Sequence, residues 1–171
     1  MKLRLWLLLI FVCCGCSLSR LSAPTQDATA ATEEPFYAPD FSLLALDGST
    51  YTLGDLQGKW VVVNFWATWC VPCVEEMPDL QTIADIYYGD VVVLGVNMRE
   101  SEQQISRFIT AQNINFPILL APPDAVLIDY NVIGLPQTFI VTPAGEIVYR
   151  SFGPLVLEEF QQIIDDLIKS P

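Results

Sequence analysis

The sequence predicts a three-layer α/β domain around a mixed β-sheet, and three observations support this fold class. Residues 59–67 and 90–97 are rich in β-branched and aromatic side chains. Apart from Asn64 the first run is apolar on both faces, as central strands covered by helices are, and the second run predicts another buried strand. Residues 73–87, between them, place apolar side chains at helical spacing. A hairpin pattern and an amphipathic helix close the chain, so helices can cover both faces of the sheet.

The chain ahead of this domain predicts an export segment. Residues 1–16 begin with a short basic stretch, continue with an uncharged apolar run (LWLLLIFVCC) and end in small residues, which is the pattern of a secretory signal. The run is shorter than the roughly 18 apolar residues of a membrane span. Cys16 resembles the acceptor of a bacterial lipoprotein signal, although Cys13 stands where that signal prefers leucine. We expect lipidation at Cys16; an uncleaved anchor, simple cleavage and a buried helix of the fold are the alternatives.

A tether and an acidic domain follow. Residues 17–34 are rich in Ser, Thr, Ala and Pro and show no apolar period, which is typical of a flexible linker. The folded domain is expected at residues 35–171. From residue 36 onward it carries 17 acidic and 5 basic side chains. This charge opposes binding to nucleic acid and to anionic lipid, so we expect the membrane to hold the protein only through its N-terminus.

The other elements of the domain follow from local patterns. Residues 41–46 and 49–53 flank an Asp-Gly pair and predict a hairpin. The helix after the first central strand should start at the cysteines and be kinked at Pro78. Ser101 and Gln104 predict a capping box before a second helix. The remaining predicted elements are a strand (116–120), a short helix (125–132), two hairpin strands (138–142 and 147–152) and a last helix (155–168) with Ile168 facing the core.

Two of the five cysteines, Cys70 and Cys73, stand two residues apart at the junction of strand and helix. The chain has no histidine, which excludes a Ser-His pair, a Cys-His pair and a C-x-x-C-H haem site. Zinc needs four ligands, and the other cysteines lie in the export segment, so no metal is expected. A static disulfide with so short a loop would constrain little chain entropy. A redox-active pair is the best remaining interpretation.

The position of the pair assigns a role to each cysteine. Cys70 should lie at the helix N-terminus, where free N–H groups and the helix dipole stabilise a thiolate, so it is the expected nucleophile. Cys73, one turn deeper, is the expected resolving thiol. Pro72 stiffens the turn, and Trp69 offers an apolar wall to a substrate. Glu76 lies on the helix face of the resolving thiol and could exchange a proton with it; a surface glutamate is the alternative.

Four further stretches have a combination of residues that is known from one protein family. They are 38–48 (APDFSLLALDG), 63–69 (VNFWATW), 69–73 (WCVPC) and 134–140 (GLPQTFI). Together they resemble the TlpA/ResA-like membrane-tethered thiol–disulfide oxidoreductases, in the redoxin branch of the thioredoxin superfamily. The resemblance extends over residues 35–168. It implies a thioredoxin-like α/β/α fold with an N-terminal β-hairpin and a central insertion near residues 100–130.

The resemblance also implies details of the site. It implies a cis peptide bond at Pro136, in a loop packed over the cysteines, and pairing of the Leu135 main chain with a substrate strand. It supports Glu76, because family members carry a glutamate at this place. Two residues depart from the pattern. Asn64 replaces the buried aspartate of thioredoxin, which shifts proton handling towards Glu76, and Gln137 stands where many relatives have threonine, which leaves substrate preference open.

The function implied by the resemblance is that of an extracytoplasmic enzyme that reduces disulfides in exported proteins, with apocytochrome c as one family substrate. No flavin or nicotinamide motif is present, so we expect no cofactor and re-reduction by a membrane protein. We also expect the domain to be monomeric. One alternative is a disulfide-forming oxidant with the same site, because residues 71–72 do not fix the potential. Another is a peroxiredoxin-like peroxidase, whose Pro-x-x-x-Thr-x-x-Cys motif is absent, since Val63 and Ala67 take its first two places. The third alternative is a non-enzymatic surface lipoprotein that uses the fold only for binding.

Overall fold

The computed structural model describes residues 35–169, and within this range it contains seven β-strands and four α-helices. The expected export segment (residues 1–16), the tether (residues 17–34) and Cys16 lie outside the described residues. The strands are β1 (Ser42–Leu44), β2 (Thr50–Thr52), β3 (Trp60–Trp66), β4 (Val91–Asn97), β5 (Ile118–Leu119), β6 (Gln137–Val141) and β7 (Ile147–Phe152). The helices are α1 (Val71–Ile86), α2 (Glu102–Gln112), α3 (Asp124–Asp129) and α4 (Leu157–Lys169).

Five of the strands form one mixed sheet in the order β5-β4-β3-β6-β7. β3 runs parallel to β4, and β4 parallel to β5, whereas β6 and β7 are antiparallel to their neighbours. β1 and β2 form a separate antiparallel hairpin. This hairpin continues into the edge of the sheet, because Ala45 pairs with Leu119. The predicted mixed sheet and N-terminal hairpin are confirmed.

Two apolar clusters cover the two faces of the sheet. One combines Val62 and Trp66 of β3 with side chains of α1, α2 and α4, and it includes both cysteines. The other combines Val63 and Phe65 of β3 with the β1–β2 hairpin and α3. Neighbouring side chains of a strand point to opposite faces, so β3 is buried from both sides. A fully buried side chain of this kind contributes about 1.5–3 kcal/mol. The predicted three layers are therefore confirmed.

The predicted elements after β3 are present, with shifted ends. α1 contains Pro78, and the kink there stays a prediction. Ser101 caps α2 by accepting a hydrogen bond from the N–H of Gln104, as the capping box predicts. The predicted insertion corresponds to α2, β5 and α3. The prediction that Ile168 faces the core is wrong: its side chain is 36% exposed, because it lies in the last turn of α4.

The start of the described chain lies at one particular end of the sheet. Tyr37 pairs with Glu146 in the turn between β6 and β7, and the N–H of Ala38 donates to the carbonyl of Gly145. β6 starts beside the end of β3 and runs towards the start of β3, so this turn lies at the end of the sheet away from the cysteines. Among residues 35–169, no helix is long and apolar enough to cross a membrane.

Candidate active site

The cysteine pair lies where β3 passes into α1. Residues 67–70 form a turn that is closed by a hydrogen bond of 3.2 Å from the N–H of Cys70 to the carbonyl of Ala67. Cys70 is the N-cap of α1, and its Sγ accepts a hydrogen bond of 3.3 Å from the N–H of Cys73. The predicted position of Cys70 at the helix N-terminus is confirmed.

Cys70 and Cys73 are joined by a disulfide bond with an S–S distance of 2.04 Å. Cys73 is fully buried, whereas Cys70 keeps 6% of its surface exposed. Trp69 and Val71 flank the outer cysteine, and about two-thirds of each side chain is exposed. An approaching sulfur atom therefore meets Cys70 first, beside an apolar surface. Pro72, half-buried, is the second residue of the helix.

Pro136 lies at the same end of the sheet as the cysteines. Gln137, the first residue of β6, pairs with Phe65 of β3, one residue before that strand ends. The Leu135–Pro136 peptide bond is cis, as the resemblance implies. Leu135 packs against the cluster that contains both cysteines. No group among residues 35–169 hydrogen-bonds to its main chain, so this short stretch is available to another strand.

Glu76 lies three residues after Cys73 on α1 and is buried, with only 2% of its surface exposed. Its Oε1 accepts a hydrogen bond of 2.8 Å from Asn64 Nδ2, and its Oε2 accepts one of 2.8 Å from the N–H of Leu155. Asn64 Nδ2 also donates to Thr138 Oγ1 at 2.9 Å. The alternative of a surface glutamate is wrong.

Burial has a large effect on this carboxyl group. Removal from water raises the pKa of Glu76 from 4.5 to about 7. The hydrogen bonds from Leu155 and Asn64 oppose the shift, and the negative charge of Asp79 adds to it. Glu76 can thus hold or release a proton near neutral pH, which is what a general acid–base group requires.

Several partners in this site have no signature in the local sequence. The roles of Thr138 and of the Leu155 main chain follow from the pairing of β3 with β6 and from the docking of α4 on α1. Gln137 is fully buried. Its Nε2 donates to the carbonyls of Tyr130 and Asn131 at 3.4 and 3.3 Å, and its Oε1 accepts from the N–H of Ile133 at 3.4 Å. These three hydrogen bonds fix the main chain of the loop before Pro136 to the buried side chain of Gln137.

A metal site is not evident in the part of the chain that the structure describes. No group of three or more His, Cys, Asp or Glu side chains lies in residues 35–169 in an arrangement that could hold an ion.

The geometry agrees with the comparison with known proteins. Residues 37–150 match the AhpC/TSA family. ResA of Geobacillus kaustophilus, a thiol–disulfide oxidoreductase, is 37% identical over 131 residues, which are 76% of this chain and 75% of ResA. The chain belongs to the AhpC/TSA family, among the ResA-like thiol–disulfide oxidoreductases. The family resemblance drawn from residues 38–48, 63–73 and 134–140 is therefore confirmed.

Two solved structures of thioredoxin-like proteins support the fold. A thioredoxin-family thiol:disulfide interchange protein from Chlorobium tepidum superposes with a TM-score of 0.73 at 26% identity, over 80% of this chain and 98% of that protein. The exposed lipoprotein thioredoxin Etrx1 of Streptococcus pneumoniae superposes with a TM-score of 0.67 at 30% identity, over 75% and 99%. The thioredoxin-like fold of this family member is confirmed.

Proposed function

We propose that this thiol–disulfide oxidoreductase reduces disulfide bonds of exported proteins at Cys70 and Cys73. The observation that carries the proposal is the asymmetry of the pair. Cys70 is the outer sulfur at a helix N-terminus, beside the exposed side chains of Trp69 and Val71, and Cys73 is enclosed. A donor N–H already points at Cys70 Sγ, and the same donor can stabilise its thiolate.

The reaction is a pair of thiol–disulfide exchanges. In the reduced enzyme the Cys70 thiolate attacks one sulfur of the substrate disulfide, forms a mixed disulfide and releases the other substrate sulfur as a thiolate. Cys73 then loses its proton and attacks Cys70 Sγ. This step forms the Cys70–Cys73 disulfide and releases the second substrate thiolate. Two electrons pass to the substrate, and the enzyme ends in the disulfide state found in the structure.

Glu76 is the group that we assign to the proton of Cys73. The two residues are three positions apart on α1 and therefore share a helix face. A carboxyl group with a pKa of about 7 can accept this proton and later return it. Asn64 Oδ1 has no hydrogen-bond partner among residues 35–169. A half-turn of the Asn64 amide would offer this oxygen to Glu76 when the carboxyl group is protonated.

The substrate segment is proposed to bind across the turn and the cis-proline loop. Trp69 would supply the apolar wall, Pro72 would keep the turn rigid, and Pro136, at the same end of the sheet as the cysteines, would contact the substrate segment. The unpaired main chain of Leu135 would form strand-type hydrogen bonds with the segment around the substrate cysteine.

We further propose that the enzyme acts outside the cytoplasm. The signal-like segment of residues 1–16 supports export, with a tether at residues 17–34 and a domain at residues 35–171. The likeness to Etrx1, an exposed lipoprotein, supports lipidation at Cys16. In this arrangement a membrane protein returns electrons to the disulfide, the domain acts as a monomer, and apocytochrome c is one candidate substrate.

The reduction potential of the Cys70–Cys73 couple tests the direction of the reaction. The purified protein would be equilibrated with glutathione or dithiothreitol buffers at neutral pH. We expect a value near or below about −250 mV, which makes the dithiol form a reductant. A value near about −120 mV would mean that the protein forms disulfides instead.

A further inference from the structure

The turn of residues 67–70, which ends at Cys70, is hydrogen-bonded to a carboxylate in a different segment of the chain, that of Glu100 after β4. Glu100 Oε2 accepts a hydrogen bond of 2.7 Å from the main-chain N–H of Thr68, and Glu100 Oε1 accepts one from the hydroxyl of Thr68. Thr68 is the second residue of the turn that ends at Cys70. Both donors of one residue are thus fixed by one side chain.

The position of Glu100 is itself fixed by the end of β4. Asn97, the last residue of this strand, is fully buried. Its Nδ2 donates to Glu100 Oε2 at 2.8 Å, and its Oδ1 accepts from the N–H of Glu100 at 3.1 Å. Arg99, between them, adopts a left-handed conformation with φ of 62°, which lets the chain reverse here. Since β4 is paired along its length with β3, Glu100 is tied to the same sheet as the turn.

The neighbouring arginine does not explain this carboxylate. The guanidinium of Arg99 donates to the carbonyl of Pro122 and forms an ion pair with Asp124 at the start of α3. Within residues 35–169 no cation forms an ion pair with Glu100. All three hydrogen bonds to the carboxylate come from neutral donors, so the contact fixes a loop rather than balancing two charges.

We propose that Glu100 is a positioning residue of the exchange reaction: by holding Thr68 it fixes the turn that presents Trp69 and Cys70 to the substrate disulfide. Thiol–disulfide exchange requires the attacking sulfur to approach along one direction, and misplacement of a reacting group by about 1 Å can cost on the order of a hundredfold in rate. The inference rests on the proposed role of Cys70 as the attacking thiol.

The hydrogen bonds of Glu100 make two substitutions informative. Glu100→Gln can keep all of them: one side-chain oxygen accepts from Thr68 N–H and Asn97, and the amide donates to the Thr68 hydroxyl, which can reverse its role. It removes only the charge. Glu100→Ala removes the contact. Thr68→Val removes the hydroxyl bond alone, and keeps the N–H bond, so it serves if the alanine variant does not fold.

The experiment compares these variants of the full chain with Glu102→Ala, which removes an exposed carboxylate two residues further on. The reduced proteins react with oxidised glutathione, and the second-order rate constant is measured. The pH profile of Cys70 alkylation by iodoacetamide is recorded in parallel, and urea unfolding shows that each variant is folded. We expect a rate about tenfold lower for Glu100→Ala, a rate about threefold lower for Thr68→Val, and rates within about twofold of wild type for Glu100→Gln and Glu102→Ala. The pH profile of alkylation should change only in Glu100→Ala and Thr68→Val.

Two outcomes would overturn the inference. One is a folded Glu100→Ala or, if that variant does not fold, Thr68→Val with the wild-type rate and profile. The other is a Glu100→Gln variant as slow as Glu100→Ala, because then the charge, not the contact, would matter. Failure of the proposed function gives a different result: Cys70→Ser would react with oxidised glutathione as fast as wild type, whatever happens at Glu100.

Discussion

The carboxylate of Glu76 and the main-chain N–H of Leu155 are 79 positions apart in the chain and 2.8 Å apart in the structure. Their hydrogen bond joins the helix that carries the cysteines to the segment that enters α4. Burial of the carboxyl group raises its pKa to about 7. The same group thus links the packing of two helices to the proton chemistry of the site, and both effects can be measured.

Glu76 should make stability depend on pH. Its pKa is about 7 in the folded protein and 4.5 as the reference value. Between these values the folded protein keeps a proton that the unfolded chain loses, so the free energy of unfolding falls as pH rises through this window. The shift corresponds to a loss on the order of 3 kcal/mol, complete above about pH 7.

The measurement is urea unfolding of the disulfide form at about pH 5 and about pH 8. The unfolding free energy of Glu76→Gln should not show this fall. At about pH 8 the variant should therefore be more stable relative to wild type than it is at about pH 5. Glu75→Gln, at an exposed position on the same helix, is the control and should follow wild type. Equal pH dependence of wild type and Glu76→Gln would show that Glu76 does not carry the shift.

The two cysteines should behave differently when each is replaced. Cys73→Ser leaves the Cys70 thiol without a resolving partner, so a mixed disulfide with a disulfide-bonded peptide should accumulate. Cys70→Ser leaves only a fully buried thiol, so little adduct should form. Non-reducing electrophoresis and mass spectrometry measure both adducts. Preferential trapping by the Cys70→Ser variant would reverse the assignment of roles.

Asn64→Asp should introduce a second carboxylate next to the first. Asn64 Nδ2 lies 2.8 Å from Glu76 Oε1, and two carboxylates at this distance share a proton because both cannot easily ionise. We expect a loss of at least about 2 kcal/mol in unfolding free energy at about pH 8 and a smaller loss at about pH 5. Urea unfolding measures it. Asn115→Asp, at an exposed position, is the matched control, and an equal effect of the two substitutions would contradict the prediction.

Gln137→Ala should loosen the loop before the cis proline. The carbonyls of Tyr130 and Asn131 keep a donor, because Arg150 also donates to them, whereas the N–H of Ile133 loses its partner. We expect a loss of about 1–3 kcal/mol in stability. Exchange with a disulfide-bonded peptide should slow more than exchange with oxidised glutathione, since only the peptide needs the loop.

Stopped-flow rates with the two disulfides test this, with Gln103→Ala as the exposed control. If both rates fall by the same factor, Gln137 acts on the cysteines and not on the loop.

The sequence allowed the layers of the fold to be predicted because β3 and β4 are apolar on both faces and α1 follows at helical spacing. These patterns are local, and a strand that is buried on both faces is recognised by its almost wholly apolar composition. The end of α4 was not predictable in the same way. Ile168 continues the apolar period, but in the last turn of α4 its side chain remains partly exposed, whereas its neighbour Leu167 packs against the core.

The residues of the site likewise fall into those that local sequence predicts and those that only the tertiary structure brings together. The spacing of Cys70 and Cys73 and the place of Glu76 on one helix are local facts, and both were predicted. The partners of Glu76 come from β3 and the entry to α4, Asn64 is held in turn by Thr138 of β6, and Glu100 reaches Thr68 from the end of β4. Contacts of this kind depend on sheet register, which one sequence does not reveal.

The described chain begins beside the turn between β6 and β7, at the far end of the sheet from Cys70. The seven residues of β3 separate the two ends by about 20 Å. An anchor ahead of residue 35 would therefore be attached at the end of the sheet opposite to the disulfide, which leaves the Cys70 end free for a reaction partner.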